Sequence, residues 1–298
     1  MNVDTTTFPK ISVVVPCYNM ENYIISTMES IINQRYPNLQ IIFVDGGSTD
    51  GTIEKLSEYR KYIDTFISEK DNGQYDAINK GFRFANGDIF CWLNADDVYH
   101  TWTFKMIAEV FRKNNTIDWI CGIPSFLTED GFLKKNYNHA SAKYKYGISN
   151  GWYKEGGFGF LQQESMFWRR GLWEKVGGLS LDYKLAADYE LWIKFSKYAE
   201  LWTINLPLSS FRLRESSRSI VLKERYIKEV DEICSNLEKL PILYRLFGKF
   251  TELNFLLRLL TWKKTFMIFQ RFNSNEWVYT SKFRSVSGLT ISELFLEK

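Results

Sequence analysis

The sequence has little of what zinc, redox or membrane-spanning sites usually need. Among 298 residues there are only two histidines, His100 and His139, and four cysteines. Neither type occurs at the spacing of a zinc knuckle or of a CxxC pair, which disfavours a zinc site and a dithiol redox centre. There is no run of eighteen apolar residues and no apolar signal core. These absences predict a cytoplasmic protein without spanning helices.

Short apolar strands alternate with helical segments in the first hundred residues. The segments ISVVVP (11–16) and IIFVD (41–45) are typical of strands buried on both faces, and Pro16 is expected to end the first. Strands alternating with helices every ~25–30 residues predict a mostly parallel sheet of the α/β class. Gly87 is expected to end a helix over residues 75–86, and only helices are expected beyond Ser216.

Polar and acidic groups follow several of these strands. Asp45 ends one strand, Asp71 follows another, and the adjacent Asp96 and Asp97 follow the strand at 89–93. Ligands of parallel sheets bind beyond the carboxyl ends of the strands, so these groups are expected to meet at one edge. Two adjacent carboxylates repel each other unless something positive lies between them. A metal ion, a basic side chain, or water at a helix start would each meet that need.

Four motifs in sequence order carry a family resemblance. They are ISVVVPCYNMENYI, IIFVDGGSTDGT, EKDNGQYDAINKGFRFANGDIFCWLNADD and AADYELWIKF. With this order and spacing, residues 11 to about 213 resemble the family 2 glycosyltransferases of the GT-A fold. The resemblance implies a mostly parallel sheet flanked by helices. We expect a catalytic domain over residues 1–215 and a helical C-terminal extension over 216–298.

The resemblance also implies roles for individual residues. Asp188 would be the general base that deprotonates the acceptor hydroxyl, and Asp97 would hold Mn²⁺ or Mg²⁺ against the donor diphosphate. Gln163 and Glu164 would face the sugar or the acceptor. The nucleotide-sugar donor would be contacted by Pro16, Tyr18, Asp45, Asp71, Gly73, Lys80 and Asp96.

One departure from the family pattern concerns the metal. Many relatives place a histidine that helps to hold the metal or diphosphate where this chain reads FRLRESSRS, at 211–219. Arg212 and Arg214 occur there instead, and arginine binds phosphate rather than a cation. We therefore expect diphosphate contacts from both arginines and a metal that depends more on Asp97.

Structural interpretations of the same residues remain open. Asp96 and Asp97 could form a solvated turn, Asp188 could cap a helix, and Asp45 could start the Gly46–Ser48 turn. Lys80 could be an ordinary lysine on a helix surface, and the two arginines could lie on a solvated face.

The function implied is inverting, metal-dependent transfer of a sugar from a nucleotide-diphosphate sugar, UDP-linked for preference. The acceptor would be a hydroxyl of a polysaccharide or a lipid-linked glycan. The alternatives are a sugar nucleotidyltransferase, which normally carries a Gly-rich loop with arginine where this chain reads PCYNMENY, and an inactive nucleotide-sugar-binding protein. An acidic ligand edge opposes nucleic-acid binding.

Residues 253–272 place aromatic side chains at helical spacing, with four basic residues and no acid between Leu253 and Asn273. The segment is expected to be a helix that packs on the protein or on another subunit, or that lies on the inner face of a membrane.

Overall fold

The computed structural model describes residues 8–136, 143, 145–240, 266–270 and 277–280. The strands are β1 (Ile11–Cys17), β2 (Leu39–Asp45), β3 (Thr65–Ser68), β4 (Ile89–Trp92), β5 (Val98–Tyr99), β6 (Trp119–Ile123), β7 (Ser125–Leu127), β8 (Leu133–Asn136), β9 (Met166–Arg169), β10 (Leu201–Pro207), β11 (Ser209–Arg212), β12 (Phe266–Gln270) and β13 (Trp277–Thr280). The α-helices are α1 (Ile24–Ile32), α2 (Thr52–Lys55), α3 (Gln74–Phe82), α4 (Thr103–Lys113), α5 (Lys145–Ser149), α6 (Arg170–Val176), α7 (Ala187–Tyr198), α8 (Arg218–Val221) and α9 (Lys223–Ile233), with 3₁₀ helices at Leu56–Tyr62 and Gln163–Ser165.

The main sheet has nine strands in the order β13-β12-β10-β6-β9-β4-β1-β2-β3. Its β1, β2, β3 and β4 pair in parallel, as do β6, β10 and β12. Strand β9 runs antiparallel between β4 and β6, and β13 is antiparallel to β12. The predicted α/β class with a mostly parallel sheet is confirmed.

The sheet separates two apolar cores because side chains alternate between its faces along each strand. Val13 and Val15 face the core that α1 and α4 cover, whereas Val14 faces the core beneath α3, α6 and α7. Strand β1 is buried along its whole length, as its continuous β-branched sequence predicts. The two covered faces leave the edges of the sheet as the places where polar groups can meet a ligand.

Two local expectations are wrong. Strand β1 continues through Pro16 to Cys17 and stays paired with β2 over both residues. Its pairing with β4 ends earlier, at Val14 and Trp92. No ladder hydrogen bond to β4 is therefore lost because Pro16 lacks an N–H. Helix α3 ends at Phe82 rather than at Gly87. A Cβ at Gly87 would lie 2.7 Å from the Ser12 hydroxyl, so this glycine permits close approach to β1 instead of capping the helix.

The expectation of helices alone beyond Ser216 is also wrong. Helices α8 and α9 are followed by strands β12 and β13, and β12 extends the main sheet beside β10. Residues 266–270 fall within the segment 253–272, which was expected to be one amphipathic helix, and they pair as a strand because β10 offers an open edge. The rest of that segment lies outside the described residues, so its predicted membrane contact stays a prediction. Within the described chain, no helix is both long and apolar enough to cross a bilayer.

A second sheet, in the order β5-β11-β7-β8, lies where the site residues gather. Strand β5 begins directly after Asp97 and pairs antiparallel with β11, which ends at Arg212. This pairing brings the acidic pair at the end of β4 beside the arginines of the FRLR segment, although more than a hundred residues separate them in sequence.

Candidate functional site

The turns that follow β1 and β2 are joined at the carboxyl edge of the sheet. The backbone N–H of Asn19 donates to the Ser48 hydroxyl at 2.8 Å, and that of Thr49 donates to Asn19 Oδ1 at 2.8 Å. Tyr18 lies at this edge with 57% of its surface exposed, and Pro16 is buried just before it. An exposed ring at a strand end suits the predicted contact with a nucleotide base.

Asp45 is buried at the end of β2 and organises the following turn. Its carboxylate accepts hydrogen bonds from the N–H groups of Gly47 and Ser48 and from the hydroxyls of Ser48 and Ser68. The interpretation that Asp45 starts the turn is therefore confirmed. Its contact with the donor stays a prediction.

Asp71 and Gly73 form the loop that leads into α3. The N–H of Gly73 donates to Asp71 Oδ1 at 2.8 Å, and a Cβ on Gly46 would lie 2.6 Å from Asp71 Oδ2. The φ of Gly73 is 112°, which disfavours any residue with a Cβ. Lys80 lies further along α3 and pairs with Glu69 and Asp76, which raises its pKa. Asp71 and Gly73 thus lie at the edge, whereas Lys80 already has two anionic partners.

Asp97 is wholly buried, and both of its carboxylate oxygens accept hydrogen bonds from the protein. Oδ1 accepts from the backbone N–H of Arg212 at 2.9 Å, and Oδ2 accepts from the Asn94 amide at 3.2 Å. Burial and the charges of Asp96 and Glu164 raise its pKa well above the ordinary value. The carboxylate predicted to hold the metal is therefore enclosed and serves to join β4 to β11.

Asp96 is paired with a basic side chain. Its Oδ2 accepts from Arg214 Nε at 2.8 Å and also from Arg214 Nη2. The two side chains are almost equally buried, with 10% and 11% of their surfaces exposed. The positive group that two adjacent carboxylates require is thus a guanidinium in this fold.

Arg212 is buried and bonded to protein acceptors on all sides. Its Nε donates to the carbonyl of Asp96 at 2.8 Å, Nη1 to the carbonyl of Glu129 at 2.9 Å, and Nη2 to the hydroxyl of Ser26 at 2.9 Å. Arg212 is only 4% exposed, so this arrangement does not favour the diphosphate contact predicted for it, and its guanidinium positions the loop after β4. Arg214 is the arginine of the pair that remains near the open edge.

Gln163 and Glu164 lie in the 3₁₀ helix before β9, against the end of β4. Gln163 donates to the carbonyl of Trp92 at 2.9 Å and accepts from the Asn94 amide at 3.3 Å. Glu164 is 2% exposed, and no partner bonds its Oε1 within the described chain. Burial, with smaller effects from the charges of Asp96 and Asp188, raises its pKa to about 8. A pKa of about 8 favours the protonated form of Glu164 at neutral pH, and Glu164 lies in the same region as those two carboxylates.

Asp188 lies in the first turn of α7 and is half-buried. The hydroxyl of Tyr75 is 2.9 Å from Asp188 Oδ1 and 2.7 Å from the carbonyl of Leu185, so its single proton serves two acceptors. Burial raises the pKa of Asp188, and the Tyr75 bond lowers it. No side-chain cap is formed at this helix start by the preceding residue, Ala186, and Asp188 itself lies inside the helix. The interpretation of Asp188 as an N-cap is therefore wrong, and the carboxylate is free to act at the edge.

The residues present do not fit a resident divalent ion. No three His, Cys, Asp or Glu side chains in the described part of the chain are grouped as metal ligands. Asp97 has both oxygens bonded and is enclosed, and a cation at Asp96 would lie beside the charged Arg214. The metal predicted at Asp97 stays a prediction that these surroundings do not favour, and no step below depends on a metal.

The comparisons with known proteins identify the family. Residues 12–175 match the model of "Glycosyl transferase family 2". The chain belongs to glycosyltransferase family 2. It is an enzyme of sugar transfer, so the alternative of a sugar nucleotidyltransferase is set aside.

Named relatives agree with this assignment. This glycosyltransferase is 28% identical over 250 residues to an uncharacterized glycosyltransferase of Haemophilus influenzae. The aligned region covers 80% of this chain and 75% of the relative. It is 27% identical over 264 residues to chondroitin synthase of Escherichia coli, covering 86% of this chain but only 36% of the synthase. The chain therefore spans about a third of that larger enzyme.

Solved structures share the fold. S. aureus TarS residues 1–349 in complex with UDP-GlcNAc superposes with a TM-score of 0.59 at 18% identity, covering 82% of this chain and 74% of that one. A mannosyltransferase of Pyrobaculum calidifontis in complex with GDP-Man and Mn²⁺ gives a TM-score of 0.56 at 19% identity, covering 82% and 69%. These likenesses establish the GT-A fold of this glycosyltransferase.

Sequence reasoning missed three residues that organise the site. Asn94 bonds Asp97, Gln163 and Gln74, Tyr75 holds Asp188, and Arg218 donates to the carbonyl of Lys184 and, at 3.4 Å, to Gln74. Asn94 and Tyr75 lie inside the motifs quoted above, so their position was a usable signal. Arg218 carried no such signal, because its approach depends on the turn after β11.

Proposed function

We propose that this glycosyltransferase moves a sugar from a nucleoside-diphosphate sugar to a hydroxyl of a polysaccharide or lipid-linked glycan, with inversion at the anomeric carbon. The observation that carries the proposal is Asp188, held by Tyr75 at the edge where Asp96, Glu164 and Arg214 also lie. A UDP-sugar is the preferred donor, because TarS binds UDP-GlcNAc and UDP in two solved structures. Action on a glycan is supported by chondroitin synthase among the relatives.

The residues support a single displacement. The acceptor oxygen forms a bond to the anomeric carbon while the bond from that carbon to the diphosphate oxygen breaks, and the departing diphosphate keeps the electron pair. The acceptor proton passes to Asp188, a transfer worth about 10²–10⁴-fold in rate. A covalent enzyme intermediate is not required for this step.

The donor is expected to lie across the ends of β1, β2 and β4. Tyr18 would stack on the base, Asp45, Asp71 and Gly73 would border the nucleoside, and Asp96 would approach the ribose or sugar with Arg214 at the diphosphate. Gln163 and Glu164 would line the sugar or acceptor side. Mn²⁺ or Mg²⁺ stays the cofactor implied by the family, supported by the Mn²⁺ in the mannosyltransferase complex, although the donor set here does not favour it.

The substitution Asp188→Asn tests the proposal. It removes the base but keeps the shape of the side chain, so UDP affinity should stay within about threefold while sugar transfer falls about 10²–10⁴-fold. Affinity is measured by calorimetry with UDP, and transfer by UDP release from a panel of UDP-sugars with glycan acceptors.

The matched control is Asp182→Asn, an exposed carboxylate shortly before α7 that accepts a hydrogen bond from the Ser180 hydroxyl. It should change neither UDP affinity nor transfer. Near-normal transfer by the Asp188→Asn variant would show that another group takes the proton. Failure of the wild-type chain to release UDP from any donor and acceptor would favour the inactive binding protein.

A further inference from the structure

Arg214 occupies the place in the site where a counter-ion to the donor is needed. Its Nε and Nη2 both donate to Oδ2 of Asp96, and its Nη1 donates to the Ser216 hydroxyl at 3.1 Å. These bonds use three of the five N–H groups of a guanidinium. At most two N–H groups therefore remain for a ligand, and 11% of the side chain is exposed.

The orientation of Arg214 is fixed from a second direction. Its guanidinium lies over the ring of Tyr23, 4.8 Å from the centroid, and the Tyr23 hydroxyl donates to Glu129 at 2.6 Å. A planar guanidinium held by a carboxylate and an aromatic ring is pre-organised for bidentate binding of phosphate. The rigid placement distinguishes Arg214 from an arginine on a solvated face.

The neighbouring groups leave no equivalent place for a cation. Asp97 bonds Arg212 and Asn94 and has no exposed surface, while Arg212 donates to three protein acceptors. A divalent ion at Asp96 would have to share one carboxylate with a guanidinium that already holds it, and the two positive charges would repel each other. The Asp96–Arg214 pair thus competes directly with metal binding.

We propose that Arg214 supplies the positive charge that faces the donor diphosphate, so that this glycosyltransferase binds its nucleotide without a divalent metal. Asp96 then acts as the residue that orients Arg214 rather than as a metal ligand. As the diphosphate leaves the sugar and gains charge, the guanidinium offsets that charge through the N–H groups it does not use within the protein. The inference rests on the proposed function, because it assumes a nucleoside-diphosphate donor.

Binding of UDP to the full chain provides the test. For the wild type, calorimetry in EDTA and in MnCl₂ should give affinities within about threefold of each other. Arg214→Ala should lose roughly tenfold to a hundredfold in affinity in both buffers, since charge-assisted hydrogen bonds to the diphosphate are lost.

The substitution Arg214→His separates charge from metal binding. An imidazole beside Asp96 is a transition-metal ligand, so this variant should bind UDP weakly in EDTA and recover in MnCl₂. Electron paramagnetic resonance should show Mn²⁺ bound to it and not to the wild type. The matched control is Arg83→His, an exposed arginine at the end of α3, which should bind UDP as the wild type does in both buffers.

The outcomes separate the two proposals. Wild-type protein that binds UDP only with Mn²⁺ would overturn the role of Arg214 and leave sugar transfer intact. Absence of UDP binding in both buffers would overturn the proposed donor and the inference with it. If Arg214→Ala fails to fold, Arg214→Lys keeps the charge without the paired N–H groups, and its loss of affinity should be intermediate; unchanged affinity in that variant would contradict the proposal.

Discussion

At the scale of single residues, the site is a set of carboxylates whose environments differ. Asp96 is paired with Arg214, burial raises the pKa of Glu164 to about 8, and Asp188 is half-buried beside a phenol. Groups of one chemical type can then take different roles, because burial and neighbours separate their pKa values. Of these three carboxylates, Asp188 combines access to the edge with the absence of an ion pair among the described residues, which is what a general base needs.

The substitution Tyr75→Phe is predicted to shift the pH dependence of transfer. The Tyr75 bond lowers the pKa of Asp188 against the raising effect of burial, so its loss should raise that pKa further. A base acts in its unprotonated form, and activity is lost as pH falls through its folded-state pKa. The acidic limb of kcat/KM should therefore move to higher pH, which the pH profile of UDP release measures.

A suitable control for this shift is Tyr198→Phe at the other end of α7, where the ring is 51% exposed. Its pH profile should match that of the wild type. An unmoved acidic limb in Tyr75→Phe would mean that a group other than Asp188 controls it.

The sequence predicted which residues would gather at the edge better than it predicted what each one does. The polar ends of β2, β3 and β4 follow from strand order alone, so Asp45, Asp71 and Asp96 were expected together. The burial of Asp97 and Arg212 was not foreseen, because it depends on the pairing of β5 with β11, and their predicted roles stay predictions. Such long-range pairing leaves no periodic pattern in the sequence.

At the scale of elements, α3 connects the Asp71–Gly73 loop to the proposed general base, Asp188, and packs closely on β1. A Cβ on Gly81 would lie 2.5 Å from Cγ1 of Val14, so the helix approaches the strand only because residue 81 is glycine. Gly81→Ala should cost roughly 1–3 kcal/mol of unfolding free energy by overpacking. In a background that carries Val14→Ala, the same Gly81→Ala change should cost less unfolding free energy. A double-mutant cycle with urea unfolding measures this difference.

The control for this cycle is Gly171→Ala in α6, where an added Cβ meets nothing within 4 Å. That change should be neutral or slightly stabilising, since alanine favours helix. Strictly additive effects of the two changes at Gly81 and Val14 would show that α3 and β1 do not meet as described.

The elements themselves were largely predictable in the first half of the chain. Buried strands and amphipathic helices each have a clear period, and β3 is the strand that was expected before Asp71. The antiparallel β9 and the added strand β12 were not foreseen. Strand direction and edge pairing are decided by distant segments, and aromatic residues at helical spacing also suit a strand.

At the scale of the whole molecule, the aromatic core connects the two halves of the site. Trp92 lies two residues before Asn94, and Trp192 lies four residues after Asp188. The two indoles stack with centroids 5.8 Å apart and planes 8° from parallel, and both are fully buried. This stacked pair therefore packs α7 against β4, which positions the proposed general base, Asp188, relative to the acidic edge.

The same burial makes the stability of the molecule depend on pH through Glu164. The pKa of Glu164 in the folded protein is about 8, above the ordinary 4.5, so as pH rises the unfolded chain loses this proton before the folded protein does. The free energy of unfolding therefore falls between pH 4.5 and pH 8.

Glu164→Gln cannot ionise, so its unfolding free energy relative to wild type should rise by roughly 1–4 kcal/mol between pH 5 and pH 8.5. Urea unfolding at the two pH values measures the difference, with the exposed Glu54→Gln as the control that should show none. Parallel behaviour of Glu164→Gln and wild type would mean that Glu164 is already ionised in the folded protein.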